Sequence, residues 1–394
     1  MTTHCCIVGG GPGGMILAYL LARRGIDVLL LEEHRDFDRD FRGDTIHPST
    51  MELLDRLGLA ERLLQLRHSK IDRLTLSSKT GTVAEIDLGR LRTRFPYITM
   101  MPQAQLLDFL ATEASQFPNF HLRLGANVQE QIREDGVVRG IRYRAQDGWH
   151  DVRAPLTVGA DGRFSRMRRL AAIESTSTAP PMDVLWLRVP RLPDDPHGGL
   201  GRIGNGHLVV MLDRDQEWQL GFVIPKGGYR EIHEAGIERL RSSIAEIVPE
   251  LTHRLETINT WQQVSLLSVE SSRAKTWYQP GLLLIGDAAH VMSPVGGVGI
   301  NYAVQDAVVA ANVLTEPLLR GRIRLRDLAA VQRQREWPVR VIQAIQAQIQ
   351  QRVISNVLRS NEVPAVPLIM RLPLIRDIPA RAIAYGIRPV HLNM

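Results

Sequence analysis

The sequence predicts an α/β protein that combines a Rossmann-like domain, an inserted mixed or antiparallel β-sheet and a C-terminal helical arm. Three observations lead to this fold class. A glycine-rich turn follows the apolar strand at residues 5–8, apolar strands at 156–159 and 282–285 each end in a turn that contains Asp and Gly, and alternating strand patterns lie between them. We expect the Rossmann-like domain in three parts, residues 1–70, 101–180 and 276–335, the inserted sheet from residues 71–100 and 181–275, and the arm from residues 336–394.

The chain is long enough for two domains, or for one large domain with an insertion, because 394 residues of which 44% are hydrophobic can bury a sizeable core. Its net charge of +6 is not spread evenly. Residues 320–394 contain 13 arginines, no lysine and 4 acidic residues, whereas the first 319 residues contain 35 basic and 38 acidic residues. Basic character confined to one end does not indicate a nucleic-acid-binding protein. We expect a solvated, Arg-rich arm, with weak contact to an anionic membrane surface or a partner protein as the alternative.

Targeting signals and cysteines indicate the compartment. No stretch approaches 18 uninterrupted apolar residues, and the N-terminus lacks the basic and apolar regions of a secretory signal. Cys5 and Cys6 are adjacent in an apparent buried strand, so they supply neither a disulfide framework nor a CxxC metal pair. We therefore expect a cytoplasmic, reducing setting and no metal site. The sequence is compatible with a monomer or a homodimer.

The N-terminal turn has the spacing G-x-G-x-x-G and lies between the first strand and a helix pattern at residues 15–24. Gly9 permits the tight turn, Gly11 lets a pyrophosphate approach the backbone, and Gly14 lets helix and strand pack closely. A second apolar strand ends in Glu32, where a carboxylate can accept hydrogen bonds from a ribose. The segment predicts dinucleotide binding, with a glycine-rich turn of another α/β protein as the alternative.

The chain that follows does not continue as regular βα units. Arg42 can pair with a phosphate through its planar guanidinium, although a surface salt bridge is the commoner role of such a residue. Residues 48–57 form a helix pattern, and residues 70–100 alternate as strands of an inserted antiparallel sheet. Pro102 then begins another helix, with Gln105 in its first turn.

Two later strands also end in acidic residues. The strand at 156–159 leads to Asp161, and the strand at 282–285 leads to Asp287. A glycine-rich turn after Asp287 approaches a helix pattern at residues 300–313. A carboxylate acceptor beside the free N–H groups of a helix N-terminus suits a large cofactor that carries hydroxyl groups and an electron-rich ring.

Three motifs thus occur in succession: GGGPGG at residues 9–14 with Glu32, GADG at 159–162, and GDAAH at 286–290 followed by PVGGVGIN at 294–301. Together they resemble the class A FAD-dependent monooxygenases, the family with the para-hydroxybenzoate hydroxylase fold. The resemblance extends over most of the chain. It implies an FAD site formed by Gly9, Gly11, Pro12, Gly13, Gly14, Glu32, Glu33, Arg42, Gln105, Val128, Asp161, Gly286, Asp287, Pro294, Gly297, Gly299, Ile300 and Asn301.

The resemblance also implies a role for each part of this set. The glycine loop and Glu32 would hold the ADP half of FAD, while Arg42 and Gln105 would contact its phosphate and ribityl regions. The backbone of Val128 would lie beside the adenine. Asp161 would lie near the pyrophosphate and influence the reductant, and Asp287 would accept hydrogen bonds from the ribityl chain.

The reacting part of the cofactor is expected at Pro294, Gly299, Ile300 and Asn301, because these residues match the family segment that lies against the flavin ring. A helix N-terminus there would stabilise the anionic reduced flavin. In this family NADH or NADPH reduces FAD, and O2 then forms a C4a-hydroperoxide that oxygenates an aromatic, polyketide-like or isoprenoid substrate. No second nucleotide fingerprint is present, so the choice between NADH and NADPH stays open.

The opposite wall of the site is expected from the inserted sheet. Strand patterns there carry Trp186, Arg188, Met211 and Phe222, which we name as candidate substrate-lining residues, and a helix pattern follows at residues 229–247. Strand alternation alone does not decide which of these side chains face the flavin.

Other functions of the same fold stay open. Flavin halogenases are disfavoured because Leu220 and Phe222 occupy positions where their signature has tryptophans. A flavin dehydrogenase or reductase acting on a lipid or polyene is one alternative, and a flavin-binding protein without turnover is another. For His290 we expect a structural hydrogen bond rather than proton transfer.

The C-terminal arm combines a helix pattern at residues 339–358 with prolines at 364, 367, 373 and 379. We expect it to pack over the flavin domain. The alternative is a lid, a dimer arm or a membrane-facing patch that admits an apolar substrate.

Overall fold

The computed structural model describes residues 1–38, 44–360 and 376–393. Arg42 and the prolines at 364, 367 and 373 lie outside the described residues. The fold has a central sheet that is mostly parallel and lies between helices and a smaller sheet. A large mixed sheet is inserted into this unit, and helices follow at the C-terminal end. This is the fold class that the sequence predicts. We keep the domain boundaries given above as a proposal.

The strands are numbered along the chain. They are β1 (Cys5–Val8), β2 (Val28–Leu31), β3 (Thr45–Ile46), β4 (Ser69–Ile71), β5 (Arg73–Ser78), β6 (Gly81–Asp87), β7 (Ile98–Met100), β8 (Phe120–Arg123), β9 (Asn127–Glu134), β10 (Val137–Ala145), β11 (Gly148–Arg153), β12 (Leu156–Gly159), β13 (Ser175–Thr178), β14 (Met182–Pro190), β15 (Gly199–Gly204), β16 (His207–Asp213), β17 (Glu217–Pro225), β18 (Ser265–Leu267), β19 (Ser271–Ala274), β20 (Tyr278–Gln279), β21 (Leu282–Leu284) and β22 (His290–Val291).

The α-helices are numbered in the same way. They are α1 (Pro12–Arg23), α2 (Pro48–Arg56), α3 (Ala60–Leu63), α4 (Gln103–Ala114), α5 (Arg166–Leu170), α6 (Tyr229–Ala235), α7 (Ile237–Ala245), α8 (Thr252–Leu255), α9 (Gly299–Leu319), α10 (Leu325–Ile349), α11 (Ser355–Ser360) and α12 (Ile378–Tyr385). Within the described ranges, no helix has both the length and the apolarity needed to cross a membrane.

The central sheet has the strand order β20-β21-β12-β1-β2-β8, and all neighbours except β20 and β21 run parallel. Every residue of β1, β2, β12 and β21 is buried, as expected for parallel strands covered on both faces. Ile7 and Leu30 face α1, α4 and α9, whereas Val8 and Leu31 face the small sheet formed by β9, β10 and β11. The sheet therefore places its strand ends between two packed layers.

The inserted sheet has the order β18-β14-β17-β16-β15-β5-β6 and joins two segments that are distant in sequence. Its strands pair antiparallel except for β5 and β15, which are parallel. One face, which includes Leu187, is covered by α7 and α8 through apolar residues such as Leu240 and Leu255. The other face is left for the Rossmann-like domain.

Several helix bounds differ from those predicted. The helix at 15–24 begins earlier, at Pro12, because proline is well accepted in the first turn of a helix. The pattern at 229–247 is two helices rather than one. Gly236 separates them with a φ of +91° and a ψ of 161°, a backbone conformation that an α-helix cannot contain.

The C-terminal helix was predicted to begin at residue 339, but α10 begins at Leu325 and contains Pro338. It continues through a π-helical turn, Gln350–Ile354, into α11. The described end of the arm packs back on the Rossmann-like domain. There the Tyr385 hydroxyl donates to Glu52 of α2 at 2.9 Å, and the Gln305 amide of α9 donates to the Tyr385 carbonyl at 3.0 Å.

Candidate cofactor and substrate site

The predicted motifs lie at one edge of the central sheet. The strands β21, β12, β1 and β2 are neighbours and run parallel, so their carboxyl ends meet at the same edge. The residues that follow these ends are Gly286 with Asp287, Asp161, the glycine loop and Glu32, respectively. Ligands of open α/β sheets bind in the crevice outside these strand ends. The topology therefore brings residues separated by about 270 positions into one site.

The glycine loop is shaped by close backbone contacts. Gly9 has a φ of +107°, and a Cβ atom there would lie 2.4 Å from the Ala160 carbonyl oxygen. A Cβ atom on Gly14 would lie 2.0 Å from the Gly9 carbonyl oxygen. Gly11 differs, since a Cβ atom there would meet nothing within 4 Å. Packing thus requires glycine at positions 9 and 14. Gly11 instead leaves open space at the N-terminus of α1, where a pyrophosphate could approach.

Two other residues of this loop have distinct surroundings. Pro12 is the first residue of α1, where its missing N–H costs no helix hydrogen bond. A Cβ atom on Gly13 would lie 3.2 Å from the carbonyl oxygen of Ala303 in α9, and one on Gly286 would lie 3.0 Å from the Ala303 Cβ. The first turns of α1 and α9 therefore approach each other closely. A cofactor that spans the two helix N-termini is compatible with this contact.

Glu32 is held at the end of β2 by the neighbouring backbone. Its side chain is buried, and its Oε2 accepts a hydrogen bond from the Gly10 amide at 2.8 Å. Its Oε1 accepts from the His34 amide at 3.0 Å and lies 2.8 Å from His34 Nδ1. These contacts fix the orientation of the carboxylate at the end of β2.

The residues expected near the adenine side are arranged differently. Glu33 is exposed, and its carboxylate accepts a hydrogen bond from the Asn127 amide at 2.6 Å. Val128 is buried in β9, and its carbonyl accepts from Arg166 Nη1 at 3.0 Å. Gln105 is half-buried in the first turn of α4. The carbonyl of Val128 is thus already used within the protein.

Asp161 supports the N-terminus of α5, whose N-cap residue is Ser165. Its two carboxylate oxygens accept from the Ser165 hydroxyl at 2.6 Å and from the Met167 amide at 2.9 Å, next to the N-terminus of α5. Burial raises the pKa of this carboxyl above its ordinary value, although the hydrogen bonds from Ser165 and Met167 oppose that rise. Asp161 therefore also has a structural role, which the resemblance does not describe.

A buried ionic network that the sequence analysis did not identify supports the Gly286 turn. Asp306 of α9 accepts from the Gly286 amide at 3.0 Å and from His290 Nε2 at 2.6 Å through one oxygen, and from Arg335 Nε of α10 at 2.8 Å through the other. All three charged or titratable side chains are at most 1% exposed. Burial raises the pKa of the Asp306 carboxyl, but His290 and Arg335 outweigh it and hold that pKa below its ordinary value. The hydrogen bond expected for His290 is thus present in the structure.

The loop before α9 is a second glycine-shaped segment. Pro294 precedes a short 3₁₀ turn, Val295–Gly297, in which Gly297 has a φ of +63°. The Gly297 carbonyl accepts from the Thr45 hydroxyl at 3.0 Å, which fixes the loop to β3. A Cβ atom on Gly299 would meet nothing within 4 Å, so the backbone at the start of α9 is open to a large ring.

Asn301 supplies an oriented polar group in the first turn of α9, which also contains Ile300. Its side-chain oxygen accepts from the hydroxyls of Ser49 and, at 3.3 Å, Thr50. The residue is 1% exposed, and within the described parts of the chain its Nδ2 has no hydrogen-bond partner. A buried donor that lacks a partner costs free energy unless a ligand satisfies it. This orphan donor at a helix N-terminus is where an electron-rich ring edge is expected.

The inserted sheet separates the four substrate-lining candidates. Trp186 and Arg188 lie on the face of β14 turned away from α7 and α8, and both are half-buried. Trp186 packs in a cluster with Val295 of the loop before α9. Met211 and Phe222 lie on the other face, buried with the residues of α7 and α8. The structure therefore brings Trp186 and Arg188 toward the candidate cofactor site and places Met211 and Phe222 in the core behind the sheet.

A second buried ion pair, also missed by the sequence analysis, borders this side of the site. The Asp44 carboxylate forms an ion pair with Arg214, whose Nη1 lies 3.0 Å from it, and accepts a hydrogen bond from the Gln103 amide at 3.2 Å. Burial raises the pKa of the Asp44 carboxyl, and the Arg214 charge opposes that rise, as does Arg188. The pair links the start of α4 to the inserted sheet. Nothing in the local sequence around Asp44 indicates this contact, because Arg214 is distant along the chain.

These residues fit FAD. A buried carboxylate ends β2, open backbone stands at the N-termini of α1 and α9, and the buried Asn301 donor is unpartnered within the described chain. The glycine loop and Glu32 would hold the ADP half, Asp287 the ribityl chain, and the first turn of α9 the ring. Of the residues described, no group of three or more His, Cys, Asp or Glu could hold a metal ion.

Comparisons with known proteins indicate the family of the chain. The family model described as an FAD binding domain matches residues 2–340. The 6-methylpretetramide 4-monooxygenase of Streptomyces rimosus is 35% identical over 388 residues, which cover 98% of this chain and 92% of that protein. Protoasukamycin 4-monooxygenase of Streptomyces nodosus subsp. asukaensis is 28% identical over 344 residues, which cover 82% of this chain and 81% of that protein.

A solved structure supports the fold independently. PqsL from Pseudomonas aeruginosa, in complex with 2-aminobenzoylacetate, matches with a TM-score of 0.79 at 20% identity, over 91% of this chain and 97% of that chain. At this identity the likeness shows the fold alone. The match of the family model and the similarity to the Streptomyces rimosus enzyme together show the family. The chain belongs to the class A FAD-dependent monooxygenases, the family with the para-hydroxybenzoate hydroxylase fold.

Proposed function

We propose that this FAD-dependent monooxygenase uses NADH or NADPH and O2 to insert one oxygen atom into an electron-rich ring of an aromatic, polyketide-like small molecule. The observation that carries the proposal is the packing of the loop before α9 against the inserted sheet. Val295 of that loop lies in one cluster with Val184 and Trp186 of β14. A substrate bound beside this contact would lie near the open backbone at Gly299.

Bound FAD would supply the redox chemistry, and the residues of this chain would bind, orient and shield it. The N-terminus of α9 contributes about half a positive charge, which favours negative charge on the adjacent ring edge. The Asn301 Nδ2 group adds a donor that folding has already desolvated and oriented through Ser49. The inserted sheet would exclude water from the same face.

The substrate class follows from the chemistry of the sheet face and from the relatives. Trp186 offers a flat aromatic surface on which a fused ring system can stack. Arg188 offers a guanidinium, which favours a phenolate or enolate over its neutral form. The Streptomyces rimosus relative is named for the oxygenation of 6-methylpretetramide at position 4. We therefore place phenolic, polycyclic substrates ahead of isoprenoids, and we keep Met211 and Phe222 only as residues that support the sheet from behind.

The remaining site assignments belong to the same proposal. Arg42 would contact the cofactor phosphates, Gln105 the ribityl region and Val128 the adenine, while Pro294 and Ile300 would lie against the ring.

The test is a stoichiometric assay on the yellow, FAD-loaded protein. NADH or NADPH oxidation, O2 uptake and product formation are measured with a panel of phenolic polycyclic compounds and with apolar isoprenoids. The proposal predicts one O2 and one reduced nicotinamide per oxygenated product for a phenolic compound. Substrate oxidation without oxygen in the product would favour the dehydrogenase alternative. Tight FAD binding with no substrate-stimulated reduction across the panel would favour a flavin-binding protein without turnover.

A further inference from the structure

Two glutamines, Gln346 near the end of α10 and Gln350 at the start of the π-helical turn after it, hold the residues on both sides of Pro294. The Gln346 amide donates two hydrogen bonds, to the carbonyl of Ser293 at 3.0 Å and to that of Val295 at 2.8 Å. One turn further, the Gln350 amide donates to the Ser293 hydroxyl at 2.5 Å. The carbonyls before and after Pro294 are thus tied to one helix.

These contacts are buried and therefore directional. Gln346, Gln350 and Ser293 are 2%, 3% and 2% exposed, respectively. A carbonyl oxygen can only accept, so the Nε2 of Gln346 must face both carbonyls. Loss of a buried donor leaves its acceptor unsatisfied, because water cannot replace it without a rearrangement of the loop. The loop conformation at Pro294 therefore depends on these two side chains.

The π-helical turn at Gln350–Ile354 keeps this row in register. In an α-helix, positions four residues apart advance by about 40° around the axis, so a row of such positions drifts away from one contact. A wider π turn offsets that drift. The positions that follow at the same spacing, Ile354 and Leu358, pack in the cluster that contains Val295 and Trp186. The helix thus contacts both the loop and the sheet face proposed to bind substrate.

We propose that Gln346 and Gln350 are positioning residues that set the distance of Pro294 from the flavin ring and so control how efficiently reduction is coupled to oxygen transfer. This inference rests on the proposed function, because it assumes that the loop lies against the ring. Gln346 would act through the carbonyls of Ser293 and Val295, and Gln350 would act through the Ser293 hydroxyl.

The experiment compares Gln346→Met and Gln350→Met with a matched control, Gln332→Met. Gln332 lies on the same helix, is 8% exposed and also binds backbone, accepting from the Trp277 amide at 2.9 Å and donating to the Lys275 carbonyl at 3.2 Å. Methionine preserves side-chain length and removes the hydrogen bonds. For each FAD-loaded protein, the visible flavin spectrum, the melting temperature, kcat, KM and the fraction of reduced nicotinamide that is lost as hydrogen peroxide are measured.

We expect all three variants to lose similar thermal stability, and only Gln346→Met and Gln350→Met to shift the flavin spectrum and raise the peroxide fraction. Their kcat should fall on the order of 10-fold with KM nearly unchanged, since a misplacement of about 1 Å can cost up to about 10²-fold. Wild-type spectrum and coupling in both variants would overturn the inference. Equal spectral changes in Gln332→Met would do so too, because the effect would then be a general consequence of disturbing α10.

A further variant and a readout without substrate complete the experiment. If Gln346→Met does not fold, Ser293→Ala removes the hydroxyl that accepts from Gln350 and, at 3.3 Å, from the Val295 amide, and it should change the spectrum in the same direction to a smaller extent. No change in Ser293→Ala would then count against the inference. The spectrum of bound FAD requires no substrate. A shift confined to the Gln346 and Gln350 variants would therefore support the positioning role even if no compound were oxygenated and the proposed function failed.

Discussion

Replacement of Asp306 by Asn should destabilise the protein strongly, because Asp306 is the only carboxylate within the described chain that pairs with the buried Arg335 guanidinium. Arg335 is 1% exposed, its Nη1 and Nη2 lack hydrogen-bond partners within the described residues, and its Nε donates to Asp306 at 2.8 Å. Removal of one partner of a buried ion pair costs about 3–5 kcal/mol, since it leaves an uncompensated charge. We expect Asp306→Asn to fall in this range.

The expected shift in melting temperature follows from the size of the chain. Unfolding entropy for 394 residues is on the order of 0.8 kcal/mol per kelvin, so a loss of about 3–5 kcal/mol lowers the melting temperature by roughly 4–6 °C. The pKa of Asp306 lies below its ordinary value, so its contribution is complete above the unfolded pKa of about 3.9 and is lost only as pH falls through the lower folded pKa. The difference in stability between the wild type and Asp306→Asn should therefore be constant between about pH 5 and pH 8.

The assay is thermal unfolding of the FAD-loaded protein, with two comparison variants. Glu316→Gln breaks an exposed ion pair with Arg320 on the same helix and should cost under about 1 kcal/mol. Asp306→Asn combined with Arg335→Met removes both charges and should recover part of the loss. If Asp306→Asn lowered the melting temperature no more than Glu316→Gln does, the reasoning would be refuted, because the buried network would then contribute no net stability.

Three further predictions concern the cofactor and pH. Glu32→Ala should raise the FAD dissociation constant by about 10- to 150-fold, since a hydrogen bond to a charged group contributes about 1.5–3 kcal/mol. Flavin fluorescence titration of the flavin-stripped protein measures this constant, and an unchanged value contradicts the ribose assignment. Asp287→Ala should weaken FAD from the ribityl side, and a variant that purifies with full flavin occupancy would exclude that role. Burial lowers the pKa of His47, although the Ile383 carbonyl, 2.7 Å from His47 Nδ1, opposes this. The unfolded chain then takes up a proton that the folded chain does not, so the free energy of unfolding should fall as pH drops below about 6.5, by at most about 1.4 kcal/mol per pH unit. His47→Gln should reduce this dependence on pH. Chemical denaturation at several pH values measures it, and the same dependence in wild type and variant would contradict the prediction.

The strand-and-turn motifs could be located from the sequence because their signals are local, and the structure places them at one edge of the central sheet. Gly9, Gly14 and Glu32 each follow a short apolar strand, and the parallel order of those strands brings their ends together without further information. The beginning of α9 was predicted within one residue for the same reason, since glycines precede a regular apolar pattern. Local composition was sufficient wherever a strand end or a helix end determined the position.

Long-range pairs could not be predicted in this way. Asp306 and Arg335 stand in two different helices, and Asp44 and Arg214 are separated by most of the inserted sheet. Each stands singly among apolar or ordinary surface residues in the sequence, so only the packing reveals its partner. A charged residue within an apolar helix stripe, as at Asp306, is the one sequence signal of a buried partner, because an unpaired buried charge is too costly to persist.

The substrate face shows a third kind of limit. Alternation along β14 and β16 identified the two faces of the inserted sheet, yet the choice between them depends on which side docks on the Rossmann-like domain. Trp186 and Arg188 lie on the face of β14 turned away from α7 and α8, while Met211 and Phe222 pack under those helices, so the substrate role of Trp186 and Arg188 stays a prediction. The packing of the sheet on the Rossmann-like domain depends on the whole fold, so the sequence of a single strand does not indicate which of its faces is covered.

The most direct test of the central claim is isotope incorporation. The FAD-loaded protein is supplied with NADH or NADPH and a phenolic polycyclic compound under ¹⁸O2, and the product is analysed by mass spectrometry. The account predicts one ¹⁸O atom per product molecule, and none when labelled water replaces labelled O2. A product that contains no ¹⁸O from O2, despite substrate-dependent consumption of reduced nicotinamide, would contradict the assignment of this chain as a monooxygenase.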